Sequence, residues 1–112
     1  MTINVRIRVR HPFRAADAMA RIRKRAEELQ AQFSFFVQST HVEWGRTMSL
    51  IRVTAMSHAF TATIETTDRV AVLQIEVPEA LRSMSDRLAG AVRRELRQTL
   101  NAPDVDTRAA PR

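Results

Sequence analysis

The side chains that could do chemistry in this chain are few and widely spaced. Its three histidines, His11, His41 and His58, have no second histidine, cysteine or carboxylate at the spacing typical of metal ligands. With two glycines, the chain is not expected to form a phosphate-binding glycine loop, and it contains no G-x-S-x-G nucleophile elbow. We therefore expect no catalytic residues, no metal and no cofactor, and we interpret the chain as non-enzymatic.

The arginine content of the chain indicates a class of binding partner. Lys and Arg total 18 against 12 Asp and Glu, a formal net charge of +6, and a basic domain attracts polyanions. Arg6, Arg8 and Arg10 alternate with apolar residues, so they would share one face of a strand and form a candidate polyanion-binding site. Alternatively, carboxylates of neighbouring strands, such as Glu65 or Glu76, pair with these arginines and neutralise them.

The elements that must position these residues follow from two periodicities. Alternation of apolar and polar residues up to His11-Pro12 is typical of a half-buried strand. The period then changes to that of an amphipathic helix, which is expected again after Pro78, a residue suited to a first helical turn. The apolar stripe of the first helix is Ala15, Met19, Ile22, Ala26, Leu29 and Phe33. That of the second is Leu81, Met84, Leu88, Val92, Leu96 and Leu100.

Between the helices the pattern predicts a meander of four strands. We place two-residue turns at Gly45-Arg46, Ser57-His58 and Thr67-Asp68, and Gly45 favours a type II′ turn in which glycine takes a positive φ. All three hairpins then direct their apolar residues to one inner face of the sheet. The predicted partners include Val42 with Ser49, Val53 with Ala62, and Ala62 with Leu73.

The outer face of the same meander carries a few apolar side chains among polar ones. They are Met48, Leu50, Val70 and Val72. In the predicted register Leu50 and Val70 flank Glu65, which would bring the apolar side chains close together. Because a contiguous exposed apolar patch suggests a partner or a second copy, we take these four residues as a candidate partner or dimer patch.

The order strand, helix, four strands, helix predicts a two-layer α+β fold, an antiparallel sheet with both helices packed on one face. We expect a single domain over residues 1–101 and a disordered tail over 102–112, which has two prolines and no periodicity. No apolar run approaches the ~20 residues that span a bilayer, and no cysteine is present. A cytoplasmic location is the expectation.

Three segments together carry a resemblance. Residues 10–18 lead into an Arg/Glu-rich helix, Val42-Glu43-Trp44-Gly45 begins the first hairpin, and residues 68–78 precede a basic closing helix. Together they resemble the polyhydroxyalkanoic acid system proteins, small bacterial proteins associated with polyhydroxyalkanoate granule gene regions. The resemblance implies a role in granule metabolism and no catalytic residues. It also implies glycines between the third and fourth strands, where Met56-Ser57-His58-Ala59 stands.

Three functional hypotheses follow. The first is a non-enzymatic accessory protein that self-associates as a homodimer or other homo-oligomer and contacts the granule surface or a granule-bound protein. The alternative is a basic RNA- or ribosome-binding module similar to hibernation-promoting factors, although those have three strands between their helices and this chain has four. The third is an acyl ligand held between the sheet and the closing helix, unless Trp44, Phe60, Leu73 and Ile75 fill that space.

Overall fold

The computed structural model describes residues 2–32 and 37–101. The elements are β1 (Thr2–Arg10), α1 (Ala15–Gln32), β2 (Val37–Glu43), β3 (Met48–Ala55), β4 (His58–Thr66), β5 (Val70–Pro78), a 3-10 segment (Glu79–Met84) and α2 (Ser85–Asn101). The predicted element order and the two-layer α+β class are therefore confirmed. Two predictions, a core position for Phe33 and a disordered tail over 102–112, lie outside the described residues.

The five strands form one antiparallel sheet in the order β1-β5-β4-β3-β2. The first strand therefore lies at an edge and pairs with the last one, so that Ile7 is opposite Leu73 and Arg6 is opposite Gln74. The alternation in β1 has the expected consequence, because Ile7 and Val9 are buried while Arg6, Arg8 and Arg10 are exposed.

All three predicted hairpin registers are wrong by two residues. Val42 is opposite Ile51, Val53 is opposite Phe60, and Ala62 is opposite Ile75. Side chains of a strand alternate with a period of two, so a shift of two residues leaves every side chain on its original face. The assignment of inner and outer faces is therefore unaffected by the error.

The first two turns account for the shifts in the first two hairpins. Four residues, 44–47, separate β2 from β3, and neither glycine has a positive φ, so the type II′ prediction for Gly45 is wrong. Gly45 is instead required by a close approach, because a Cβ there would overlap the carbonyl oxygen of Met48. The second turn is formed by Met56 and Ser57, both with positive φ (52° and 65°), a conformation that glycine adopts without strain.

The closing helix begins later than the sequence suggests. Pro78 ends β5 with φ −56° and ψ 140°, so its predicted place in the first helical turn is wrong. A 3-10 segment follows, in which Leu81 leaves helical geometry (φ −107°, ψ 22°). Met84, which follows this kink, is 48% exposed and does not join the predicted apolar stripe, whereas Leu96 and Leu100 are buried.

The core lies between the sheet and the two helices, and it is concentrated on one side of the molecule. Helix α2 packs along β1, and α1 packs against β4 and β5. The inner-face residues Leu73 and Ile75 of β5 are consequently buried, whereas Ile51 and Val53 of β3 and Val42 of β2 are only half-buried. The helices thus cover the sheet incompletely at its β2–β3 end. Within the described residues, no helix is long and apolar enough to cross a bilayer.

Candidate binding surfaces on the two faces of the sheet

The predicted arginine site lies on the outer face at the β1 edge. Arg6, Arg8 and Arg10 are exposed, and their cross-strand neighbours on β5 are Gln74, Val72 and Val70. No ion pair joins any of the three arginines to another residue of the described ranges, 2–32 and 37–101. Within those ranges, no carboxylate engages their guanidinium groups.

The proposed neutralising carboxylates are displaced from this site. Glu76 is opposite Asn4 on β1 and Thr61 on β4, and Glu65 lies on β4, with β5 between it and β1. The sheet register therefore places neither carboxylate directly opposite one of the three arginines.

The predicted apolar patch is divided into two pairs. Met48, which is 62% exposed, and half-buried Leu50 lie on β3, whereas half-buried Val70 and Val72 lie on β5. Glu65 on the intervening β4 is opposite both Met48 and Val72, so the prediction that Leu50 and Val70 flank it is wrong.

The pair on β5 lies directly beside the cationic residues. Val70 is opposite Arg10 and Val72 is opposite Arg8, so a row of cationic side chains on β1 lies beside two apolar side chains on β5. We call these residues, with Arg6, the cationic edge. Sequence reasoning named all of these residues, but not their direct adjacency.

On the inner face, the incompletely covered end of the sheet forms a cavity of about 400 Å³ that is partly open to solvent. Its walls are almost entirely apolar. They include Ile22, Ala26 and Leu29 from α1, Val92 from α2, and Ile51 and Ala62 from the sheet. Trp44 lines this cavity without filling it, so an open volume remains between the sheet and the helices.

An ion pair between the helices borders the cavity. The Arg25 Nε of α1 donates to Glu95 Oε1 of α2 at 2.5 Å, and Arg25 Nη1 donates to Glu28 Oε1 at 3.1 Å. These hydrogen bonds raise the pKa of Arg25, and the bond from Arg25 lowers the pKa of Glu95. Both Arg25 and Glu95 line the cavity, and no sequence pattern indicated their pairing, since 70 residues separate them.

The three histidines lie in unrelated places. His11 is buried, and its Nδ1 accepts a hydrogen bond from the Phe13 N–H at 3.1 Å. The exposed His41 has its Nε2 3.1 Å from Glu43 Oε2, a pairing that sequence reasoning missed, and His58 begins β4. Among the residues that the structure describes, no group of three His, Cys, Asp or Glu side chains could hold a metal ion.

These features define a small α+β domain with the cationic edge on one face of a single sheet and an apolar cavity on the other. Residues 5–100 match the protein family described as "Putative polyhydroxyalkanoic acid system protein". The chain belongs to this family, in agreement with the resemblance found in its sequence.

Two solved structures are similar to the chain at low sequence identity. One is Ara h 8.0201, with 7% identity, a TM-score of 0.41, and coverage of 91% of this chain and 99% of that one. The other is a truncated norcoclaurine synthase from Thalictrum flavum, with 9% identity, a TM-score of 0.45 and 96% coverage of both chains. No curated protein matches this chain significantly.

Proposed function

We propose that this protein is a non-enzymatic accessory protein of polyhydroxyalkanoate storage in the bacterial cytoplasm, and that it binds the granule surface through the outer face of its sheet. The observation that carries the proposal is the cationic edge, where Arg8 and Arg10, with no ion pair among the described residues, lie beside Val72 and Val70. Membership of the family supports the connection with polyhydroxyalkanoate.

The chemistry of the cationic edge suits a surface that is apolar and carries anionic groups. The arginines would draw the protein to such a surface over a distance limited by salt screening to about 10 Å at ordinary ionic strength. The valines would then lose water on contact, at about 25 cal/mol for each Å² of apolar surface buried. Either contribution alone is weak, so binding depends on both.

Self-association belongs to the same proposal and would use the other half of the outer face. Met48 and Leu50 on β3 are separated from the arginines by two strands. Pairing of two copies through their β1 edges is opposed, because it would bring Arg6, Arg8 and Arg10 of both copies together. We therefore assign the contact between copies to Met48 and Leu50, which leaves the cationic edge free for the granule.

The direct test is co-sedimentation of the purified protein with polyhydroxyalkanoate granules at several salt concentrations. Replacing Arg6, Arg8 and Arg10 with Gln should abolish co-sedimentation. The matched control replaces three exposed arginines of α2 by Gln, which changes the net charge equally and should leave co-sedimentation intact; these are Arg87, Arg93 and Arg94. Equal loss in both triple variants would show that net charge alone is responsible, and the proposal would be abandoned.

A second variant tests the apolar residues of the outer face. Leu50→Asp combined with Val72→Asp places carboxylates on the outer face, which should prevent self-association and weaken granule binding. Sedimentation velocity and co-sedimentation measure the two effects separately. If both persist unchanged in the double variant, the outer face is not the contact surface.

An RNA-binding module remains the competing hypothesis, since the same three arginines could bind phosphates. Surfaces for single-stranded nucleic acid usually combine cations with aromatic side chains on which bases stack. The described part of the outer face has valines beside the arginines, and Trp44 lies on the inner side at the cavity. An electrophoretic shift with RNA at low salt that disappears in the Arg6, Arg8, Arg10 variant would replace the granule proposal.

A further inference from the structure

We propose that the inner-face cavity is a binding site for a neutral aliphatic ester of the size of one medium-chain hydroxyalkanoate unit. This goes beyond the proposed function, because the cavity lies on the opposite face of the sheet from the cationic edge. The two sites share no residue, so either can fail without the other.

The size of the cavity sets the size of the ligand. Its volume of about 400 Å³ lies within the range of small-molecule sites, which run from roughly 300 to 1,000 Å³. At ~30 Å³ for a group as large as a water molecule, it holds about a dozen non-hydrogen atoms. This is enough for a hydroxy ester with an aliphatic tail, whereas a longer acyl chain would have to extend through the open side into solvent.

The walls determine that most of the ligand is aliphatic. Ile51 and Val53 of β3 and Val92 of α2 are only half-buried, although they face the interior side of the sheet or the core-facing stripe of the helix. A ligand in the cavity would remove these side chains from water, which stabilises the complex in proportion to the apolar area covered. Their incomplete burial is thus the source of binding energy.

The charged residues at the opening of the cavity favour a ligand whose polar end is neutral. The guanidinium of Arg25 already donates to two carboxylates, those of Glu95 and Glu28. An anionic head group would meet two negative charges around one cation that is already paired, and burying a charge without a partner is unfavourable. Neutral hydrogen-bonding groups are also present in the lining, the Gln30 amide and the Thr40 hydroxyl, and these suit ester or hydroxyl oxygens.

Trp44 provides the measurement. It is the one tryptophan of the chain and it lines the cavity, so its fluorescence should respond to a ligand there. Because Trp44 also borders a smaller pocket with Arg23 and Arg46, the cavity-filling variants identify which site is occupied. Titration of the full chain with methyl 3-hydroxyoctanoate should give a saturable change in emission. Ala62→Leu fills the cavity from the sheet and should weaken binding by about tenfold or more, because it takes up volume that the ligand needs. The matched control is Thr63→Leu, on the outer face of the same strand, which should bind as the wild type does.

A second cavity-filling variant distinguishes loss of binding from loss of folding. Ala26→Leu fills the cavity from α1 and should also weaken binding, while the melting temperatures of both filled variants stay at or above that of the wild type. If either variant melts as the wild type does and still binds the ester with unchanged affinity, the cavity is not the site and the inference is overturned.

The charge of the ligand is tested by comparison with free 3-hydroxyoctanoate. The acid should bind about tenfold more weakly than its methyl ester at neutral pH, because its carboxylate would lie near Glu95 while Arg25 is already bonded to Glu95 and Glu28. Glu95→Gln should reduce this difference, since it removes one of the two negative charges. Equal or tighter binding of the acid to the wild type would contradict the inference. Unchanged ester binding by the Arg6, Arg8, Arg10 variant would separate this site from the granule contact.

Discussion

Asp68 caps the first helix although it lies 53 residues further along the chain: its Oδ1 accepts a hydrogen bond from the Ala15 N–H at 2.9 Å. Beside it, the Thr66 hydroxyl donates to the Ala15 carbonyl oxygen at 2.8 Å. The first N–H groups of a helix have no partner within the helix, and a carboxylate there also interacts favourably with the helix dipole. Thr66 at the end of β4 and Asp68 in the following loop therefore hold the first residue of α1 beside the sheet.

We expect Asp68→Ala to lower the free energy of unfolding by about 1 kcal/mol, the usual effect of removing a helix cap. Asp68→Asn should lose less, because its amide oxygen can still accept the hydrogen bond from Ala15. Urea denaturation followed by circular dichroism measures both. A smaller effect for Ala than for Asn would be inconsistent with a capping role.

The turn between β3 and β4 should be improved by glycine. Ser57 has φ 65°, and its N–H donates to Gln38 Oε1 at 2.8 Å, a bond that glycine would keep. Ser57→Gly should therefore raise the free energy of unfolding by about 1 kcal/mol, the strain of a left-handed residue with a side chain. The resemblance to the family implied glycines in this turn, and the backbone has the conformation that glycine favours. Ser83→Gly, in the exposed 3-10 segment, is the control and should not be stabilising.

The two glycines should respond to alanine in opposite directions. A Cβ at Gly90 in α2 would have no atom within 4 Å, so Gly90→Ala should stabilise the fold by roughly 0.5–1 kcal/mol through helix propensity. Gly45→Ala should destabilise it, because the new Cβ would overlap the Met48 carbonyl oxygen and the β2–β3 loop would have to move. Thermal unfolding of the two variants side by side checks the prediction, and a shift in the same direction would refute it.

Residue alternation was sufficient to predict the fold class and both faces of the sheet. Ile7 and Val9 in β1, and Leu73 and Ile75 in β5, are buried as their spacing implies. The register was not predictable from the same information, because a shift of two residues produces an identical pattern of faces. The positive φ at Met56 is invisible to a pattern of apolar residues, and so the turn was misplaced.

The candidate sites were predictable only in part. The arginines of β1 were identified because a strand places alternate residues on one face, but their position beside Val70 and Val72 depends on how β1 pairs with β5. The cavity depends on how far the helices extend over the sheet, which no local pattern encodes. The contact between Arg25 and Glu95 likewise depends on the crossing of α1 and α2.

That contact predicts how the stability depends on pH. Hydrogen bonding by Arg25 lowers the pKa of Glu95 below its ordinary value of 4.5, so the folded state favours the carboxylate more than the unfolded state does. The resulting stabilisation is fully present above that ordinary value and is lost as the pH falls through the lower pKa of the folded state. We expect Glu95→Gln to be slightly less stable than the wild type at neutral pH, and the difference to disappear on acidification.

Urea denaturation of both proteins from pH 7 to about 3 measures this difference. The control is Glu79→Gln, since Glu79 forms no ion pair with any described residue. A difference that stays constant with pH would mean that the ion pair between the helices does not stabilise the fold.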